Sequence, residues 1–83
     1  MDLFTMMEKF TSVCAPSGYE KEMARLLWDA LGAHCQRMRI DRTGNVIGFI
    51  PGRDPSAHKT MVFAHMDSVG FVVRKVEKDG YVQ

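Results

Sequence analysis

The residues of this 83-residue chain best suited to chemistry are a histidine and an aspartate at positions 65 and 67. Side chains at i and i+2 of an extended segment project to the same side, so we expect His65 and Asp67 to be neighbours. A neutral imidazole binds zinc or cobalt through one ring nitrogen, while a carboxylate can hold the N–H of the other. The pair therefore indicates a metal ligand with an orienting carboxylate. A plain hydrogen-bonded turn has the same spacing, and the pattern alone leaves both interpretations open.

The other histidines and the cysteines have no partners at ligand spacing. His34 and His58 lie in predicted loops without an acidic or cysteine residue nearby, which favours surface histidines. Cys14 and Cys35 have 20 residues between them and no second pair, so packed thiols are favoured over a zinc knuckle or a nucleophile. The serines lack the Gly-x-Ser-x-Gly context of a serine hydrolase.

Two amphipathic helices are predicted before this pair. The first covers residues 2–13, with Asp2 as its N-cap and with apolar residues at steps of three and four. Ser17 and Glu20 have the spacing of a capping box, which predicts that the second helix follows them directly. Gly32 then supplies a left-handed stop.

The chain becomes extended after the second helix. Residues 36–50 predict a hairpin around a turn at 41–45, in which Gly44 can adopt positive φ. Residues 60–64 form an apolar run without alternation, which is typical of a strand covered on both faces and central in a sheet. Functional sites of α/β sheets lie beyond the carboxyl ends of such strands, which is where His65 and Asp67 occur.

The last segment, residues 69–83, predicts further β structure. A tight turn at 77–80 is followed by a returning strand that stops after three residues. Natural proteins usually avoid an apolar strand edge that has no pairing strand, so we expect the chain to be a piece of a longer protein.

Composition excludes several function classes. Apolar residues make up 46% and charged residues 25%, which is ordinary for one small globular domain. Eleven basic against ten acidic residues leave a net charge of +1, too little to favour nucleic acid or an anionic membrane as a partner. The acidic second residue and the lack of a long apolar run predict a cytoplasmic protein.

Four motifs occur along the chain: Pro-Ser-Gly-Tyr-Glu at 16–20, Asp-Arg-Thr-Gly-Asn-Val-Ile at 41–47, Ala-His-Met-Asp-Ser-Val-Gly-Phe at 64–71 and Asp-Gly-Tyr at 79–81. In this order they resemble the start of the glutamyl aminopeptidase family of dinuclear metallopeptidases, and the resemblance covers essentially the whole chain. Some members of that family carry endoglucanase-like names. Four motifs in order are far more specific than any one of them alone.

The resemblance implies an α/β fold of two N-terminal helices, a hairpin and a buried central strand. Residues 1–68 would be the N-terminal part of the catalytic domain. Residues 69–83 would begin a β-rich insertion used for oligomerisation, so the full-length protein is expected to be a homo-oligomer.

The resemblance also implies a site and a reaction. His65 matches a ligand of one of two divalent metals, zinc or cobalt, and Asp67 matches the catalytic carboxylate that orients it. Ser68 departs from the acidic residue of many relatives, which puts substrate preference in doubt. The implied reaction is hydrolysis of the N-terminal peptide bond of a peptide substrate by water held between the two metals. The remaining ligands and the glutamate base come from later in the chain, so the segment alone is expected to be inactive.

Two alternative functions stay open. The segment could be a non-catalytic α+β interaction module that recruits a strand at the exposed edge formed by Tyr81 and Val82. The same metallopeptidase scaffold could also act on glucans, although no carboxylate pair suited to glycoside hydrolysis is evident.

Overall fold

The protein is described by a computed structural model covering residues 2–83. Helices α1 (Leu3–Thr11) and α2 (Lys21–Gly32) are followed by strands β1 (Arg37–Ile40) and β2 (Val46–Phe49). This order confirms the predicted α/β arrangement of two helices and a hairpin. Met1, the first residue of the predicted 1–68 segment, lies outside the described residues.

Helix α1 begins at the predicted cap. A carboxylate oxygen of Asp2 accepts a hydrogen bond from the Thr5 amide at 2.7 Å, and this bond lowers the pKa of Asp2. The helix ends at Thr11, earlier than residue 13. At its end the Ser12 amide makes a last helical bond to the Glu8 carbonyl, and the Ser12 hydroxyl bonds to the same oxygen. None of its residues is buried; Leu3, for example, is 73% exposed.

Helix α2 begins without the predicted capping box. Glu20 is the N-cap residue, but its side chain accepts from the Gly18 amide at 2.7 Å and makes no cap bond. Gly18 has φ +88°, and the turn it forms separates Ser17 from the first helical turn. The prediction of a reciprocal Ser17–Glu20 box is therefore wrong, because the Glu20 carboxylate accepts from the Gly18 amide and not from the Ser17 amide.

The small core lies where α2 packs on the hairpin. Met23 and Ala24 of α2 are buried, and α2 contacts β2. The two strands are antiparallel, with Arg37 opposite Phe49, and the Arg37 guanidinium stacks 4.7 Å from the centre of the Phe49 ring. Gly48 of β2 faces Cys35 so closely that a Cβ at position 48 would lie 2.5 Å from the Cys35 sulfur.

Residues 60–64 do not form the predicted buried central strand. Met61, Val62 and Phe63 are 83%, 92% and 87% exposed, and no strand is assigned there. A continuous apolar run is buried as a strand only when neighbouring strands pair with its edges and other layers cover its faces. Neither the strands nor the layers are found within residues 2–83, so this part of the fold prediction is wrong for the described structure.

The C-terminal residues confirm the predicted tight turn. Val76 and Val82 form an antiparallel bridge, and the Glu77 amide donates to the Tyr81 carbonyl at 2.7 Å. Gly80 has φ +91°, the left-handed conformation that this turn requires. Within the described part of the chain, neither helix is long and apolar enough to cross a membrane.

The Gly48–Cys35 contact predicts a measurable packing cost. Gly48→Ala should lower the free energy of unfolding by about 1–3 kcal/mol, because the new methyl group overlaps the Cys35 sulfur. Urea unfolding measures this loss. Gly52→Ala is the matched control, since a Cβ at Gly52 meets nothing within 4 Å.

A second background tests the cause of that cost. In Cys35→Ala the sulfur is gone, and the remaining Cβ at position 35 lies at an ordinary 3.6 Å from the new methyl group. Gly48→Ala should then cost much less than in the wild-type background. An equal loss in both backgrounds would show that the sulfur is not the obstacle.

Candidate functional site

Segments that are far apart in the sequence meet around one small pocket of about 160 Å³. Three of the four motifs contribute to its walls: the start of α2, the hairpin turn and the segment that carries the His-x-Asp pair. The lining residues are Glu20, Thr43, Gly44, Asn45, Ala64, His65, Met66 and Asp67. The fold therefore assembles in space what the sequence presents as separate motifs.

His65 and Asp67 are in direct contact, as their i, i+2 spacing predicted. The Nδ1 atom of His65 lies 2.9 Å from the Asp67 carbonyl oxygen and 3.1 Å from the Asp67 Oδ1 atom. Both partners can only accept, so the contact fits a neutral ring whose proton is on Nδ1. The Nε2 lone pair is then available for a ligand.

The His65 ring is open to solvent. Its side chain is 84% exposed, whereas that of Asp67 is 41% exposed. A polar contact this exposed contributes little to stability, so the main effect of the contact is to orient the ring. Because Nδ1 faces Asp67, Nε2 lies on the side of the ring away from the carboxylate.

A backbone contact fixes the residue that follows Asp67. The Ser68 amide donates to the Ala15 carbonyl at 2.7 Å, and Pro16 and Ser68 form a parallel bridge. Ala15 is completely buried by this contact and its surroundings. We call the contact, formed by Ala15, Pro16, Ser68 and Gly70, the clasp.

A second wall of the pocket is organised by Asp41. Its carboxylate accepts from the Asn45 side chain at 2.8 Å and the Asn45 amide at 2.9 Å, and from the Thr43 hydroxyl and amide at 3.0 and 3.1 Å. These bonds, led by the one from the Asn45 side chain, lower the pKa of Asp41 to about 2. Gly44 has the predicted positive φ, +91°. Sequence reasoning recognised this turn but not that its carboxylate holds a wall of the pocket.

The side chains around His65 supply part of what a metal site needs. His65 offers a borderline imidazole nitrogen, which suits zinc or cobalt. An open zinc site needs about three protein ligands, and no group of three His, Cys, Asp or Glu side chains is arranged for a metal among residues 2–83. His65 therefore fits as one ligand of a site and needs ligands beyond those described.

The remaining candidate residues lie outside this pocket. Cys14 and Cys35 are both free thiols. Cys35 packs against Gly48, as expected for a packed thiol, whereas Cys14 is exposed and that expectation is wrong for it. His34 and His58 are exposed, as predicted.

Comparisons with known proteins match the part of the chain that carries His65 and Asp67. A family model described as M42 glutamyl aminopeptidase matches residues 44–83. A lysyl aminopeptidase of Pyrococcus furiosus is 40% identical over 79 residues, which is 94% of this chain and 22% of that protein. Residues 44–83 are thus similar to the M42 glutamyl aminopeptidase family. A second relative, the glutamyl aminopeptidase of Lactococcus lactis, is 30% identical over 80 residues, which is 96% of this chain and 22% of that protein.

The M42 match extends from the hairpin turn through the His-x-Asp pair to the last residue. The chain spans about a fifth of the length of these two relatives. The findings give no support to the endoglucanase-like names. No solved structure matches the chain.

The Asp41 turn predicts a specific dependence of stability on pH. A carboxyl whose pKa falls on folding, here from 3.8 to about 2, stabilises the fold above the unfolded value and ceases to do so as pH falls through the folded value. Asp41→Asn should therefore be less stable than wild type at pH 7, and the difference should shrink between about pH 4 and pH 2. Urea midpoints measured across this range give the result.

Other carboxyl groups also change protonation in this pH range, but their contributions cancel when wild type and variant are compared. The pKa of Asp2 is lowered by the Thr5 amide and that of Asp54 chiefly by the Ser56 hydroxyl, but both groups are present in wild type and variant. Asp29→Asn, at an exposed position of α2, is the matched control and should show no such convergence. A wild-type to Asp41→Asn difference independent of pH would contradict the prediction.

Proposed function

We propose that this chain is part of a metal-dependent aminopeptidase that hydrolyses N-terminal residues from peptides. The observation that carries the proposal is the His65 ring, held through Nδ1 by Asp67 with Nε2 free, in the pocket where the motifs meet. The similarity of residues 44–83 to the M42 family and the aminopeptidase names of the relatives support it.

The proposed roles follow from the contacts. His65 is a ligand of a divalent ion through Nε2, and Asp67 is the catalytic carboxylate that keeps the proton on Nδ1 and fixes the plane of the ring. The resemblance implies two ions, zinc or cobalt, of which His65 binds one. Such an ion supplies Lewis-acid polarisation of the peptide carbonyl when it is bound.

The rest of the site must come from other residues. His65 is one ligand where about three are needed, so we propose that the further ligands and the general base lie in the same polypeptide outside these 83 residues. The 83 residues alone should then be inactive. The proposed division remains 1–68 for the catalytic part and 69–83 for the start of the oligomerisation insertion, in a cytoplasmic homo-oligomer.

Metal affinity tests the site directly. In the polypeptide that contains these residues, His65→Ala should abolish binding of one zinc ion, and Asp67→Asn should weaken it by about 10–100-fold, because the ring loses its orienting acceptor. Competition with a zinc chelator measures both affinities, and cleavage of aminoacyl anilides measures activity. Activity should fall in both variants, and it should fall further in His65→Ala than in Asp67→Asn.

The matched control is His58→Ala, because His58 is exposed and does not line the pocket. It should keep wild-type zinc affinity and activity. Unchanged zinc affinity in His65→Ala would reject the proposed site.

A non-catalytic interaction module is the second candidate. The observation that favours it is the exposure of Tyr81 and Val82, at 74% and 59%, beside the isolated bridge between Val76 and Val82. The two candidates differ in their dependence on His65, since strand recruitment at positions 81 and 82 has no need of an imidazole. Metal-dependent cleavage lost in His65→Ala favours the peptidase.

A further inference from the structure

We propose that Ala15, Pro16 and Gly70 are positioning residues for the metal ligand. They form the clasp with Ser68, and the clasp holds the turn that carries His65 and Asp67 against the start of α2. The proposal rests on the proposed role of His65 and adds residues that do not themselves contact a metal or a substrate.

The first support is the position of the clasp hydrogen bond. The amide that donates to the Ala15 carbonyl belongs to Ser68, the residue directly after Asp67, at a distance of 2.7 Å. The carbonyl oxygen of Asp67 is itself 2.9 Å from the Nδ1 atom of His65. That carbonyl and the Ser68 amide are the two ends of one peptide unit. Because the peptide unit is planar, fixing its N–H also fixes its C=O.

The second support is the contrast in burial between the two sides of that peptide. Ala15 is 0% exposed, whereas the His65 side chain is 84% exposed. An exposed ring has few packing contacts to restrict it, so its backbone has to be held from elsewhere. A buried carbonyl of this kind requires a donor, and the Ser68 amide supplies it.

The third support is the close approach of Gly70 to Pro16. A Cβ at position 70 would lie 3.3 Å from the Pro16 Cβ and 4.0 Å from its Cγ. Gly70 does not have a positive φ, so its backbone would accept any L residue. The proximity of the proline ring therefore restricts position 70. A methyl group there needs the two sides of the clasp to separate by a few tenths of an ångström, and a larger side chain needs more.

These contacts predict an effect on metal affinity beyond any effect on the fold. Residues that orient a ligand without touching the metal typically change metal affinity by 10–100-fold when replaced. Opening the clasp should lower affinity because the free ring samples orientations that the other ligands cannot match.

The test uses graded substitutions at Gly70 in the polypeptide that contains these residues. Zinc affinity, measured by chelator competition, should fall slightly in Gly70→Ala and about 10-fold in Gly70→Val. Gly52→Val is the matched control, since position 52 has open space around it, and should leave zinc affinity unchanged.

A destabilised variant remote from the clasp distinguishes a positioning role from a purely structural one. Gly48→Ala disturbs the packing of β2 on Cys35, so it should lower the melting temperature of the metal-free protein without changing zinc affinity. If zinc affinity falls as much in Gly48→Ala as in Gly70→Val, the positioning role is overturned. If Gly70→Val does not fold, the comparison of Gly70→Ala with Gly48→Ala decides in the same way: zinc affinity should fall in Gly70→Ala only, and an equal fall in both variants overturns the positioning role.

Failure of this inference and failure of the proposed function give different results. Unchanged zinc affinity in the folded Gly70 variants, with binding lost in His65→Ala, rejects the clasp as a positioning element and leaves the metal ligand in place. Unchanged affinity in His65→Ala rejects both.

Discussion

The hydrogen bond from the Ser68 amide to the Ala15 carbonyl is the constraint on which the site depends. Helix α2 and the hairpin pack on each other. The segment that carries His65 and Asp67 is joined to the loop before α2 by this bond and by the parallel bridge between Pro16 and Ser68. A single such bond contributes only about 0.5–1.5 kcal/mol. Its importance lies in its place, because it joins the loop before α2 to the residue after Asp67 and so brings the motif segments to one pocket.

The pocket is built from hydrogen bonds rather than from apolar packing. Asp67 orients His65 through its backbone carbonyl and one carboxylate oxygen. The Asp41 carboxylate accepts several bonds from Thr43 and Asn45 and so holds the turn that carries them. Such bonds are directional, so they define where side chains point even in a region with few buried residues. This fits a site whose function depends on the orientation of donor atoms more than on enclosed volume.

The features that the sequence predicted correctly are local ones. The Asp2 cap, the positive φ of Gly44 and the contact of His65 with Asp67 each depend on residues within four positions of one another. Local geometry restricts these arrangements strongly, and residue types alone identify them. The four ordered motifs identified the family for a different reason, since their combination is specific.

The features that were missed or wrong depend on distant residues or on competing partners. The clasp joins positions 15 and 68, and no pattern in either segment names the other. The capping box failed because the Gly18 amide takes the Glu20 carboxylate. The central strand failed because its burial requires neighbouring strands that residues 2–83 do not supply.

The most direct measurement is the NMR scalar coupling transmitted through the hydrogen bond, from the Ser68 amide nitrogen to the carbonyl carbon that accepts its proton. The structure predicts a cross-peak to the Ala15 carbonyl carbon. A cross-peak from the Ser68 amide to any other carbonyl, or a Ser68 amide that exchanges with solvent as fast as in an unfolded chain, would contradict the account.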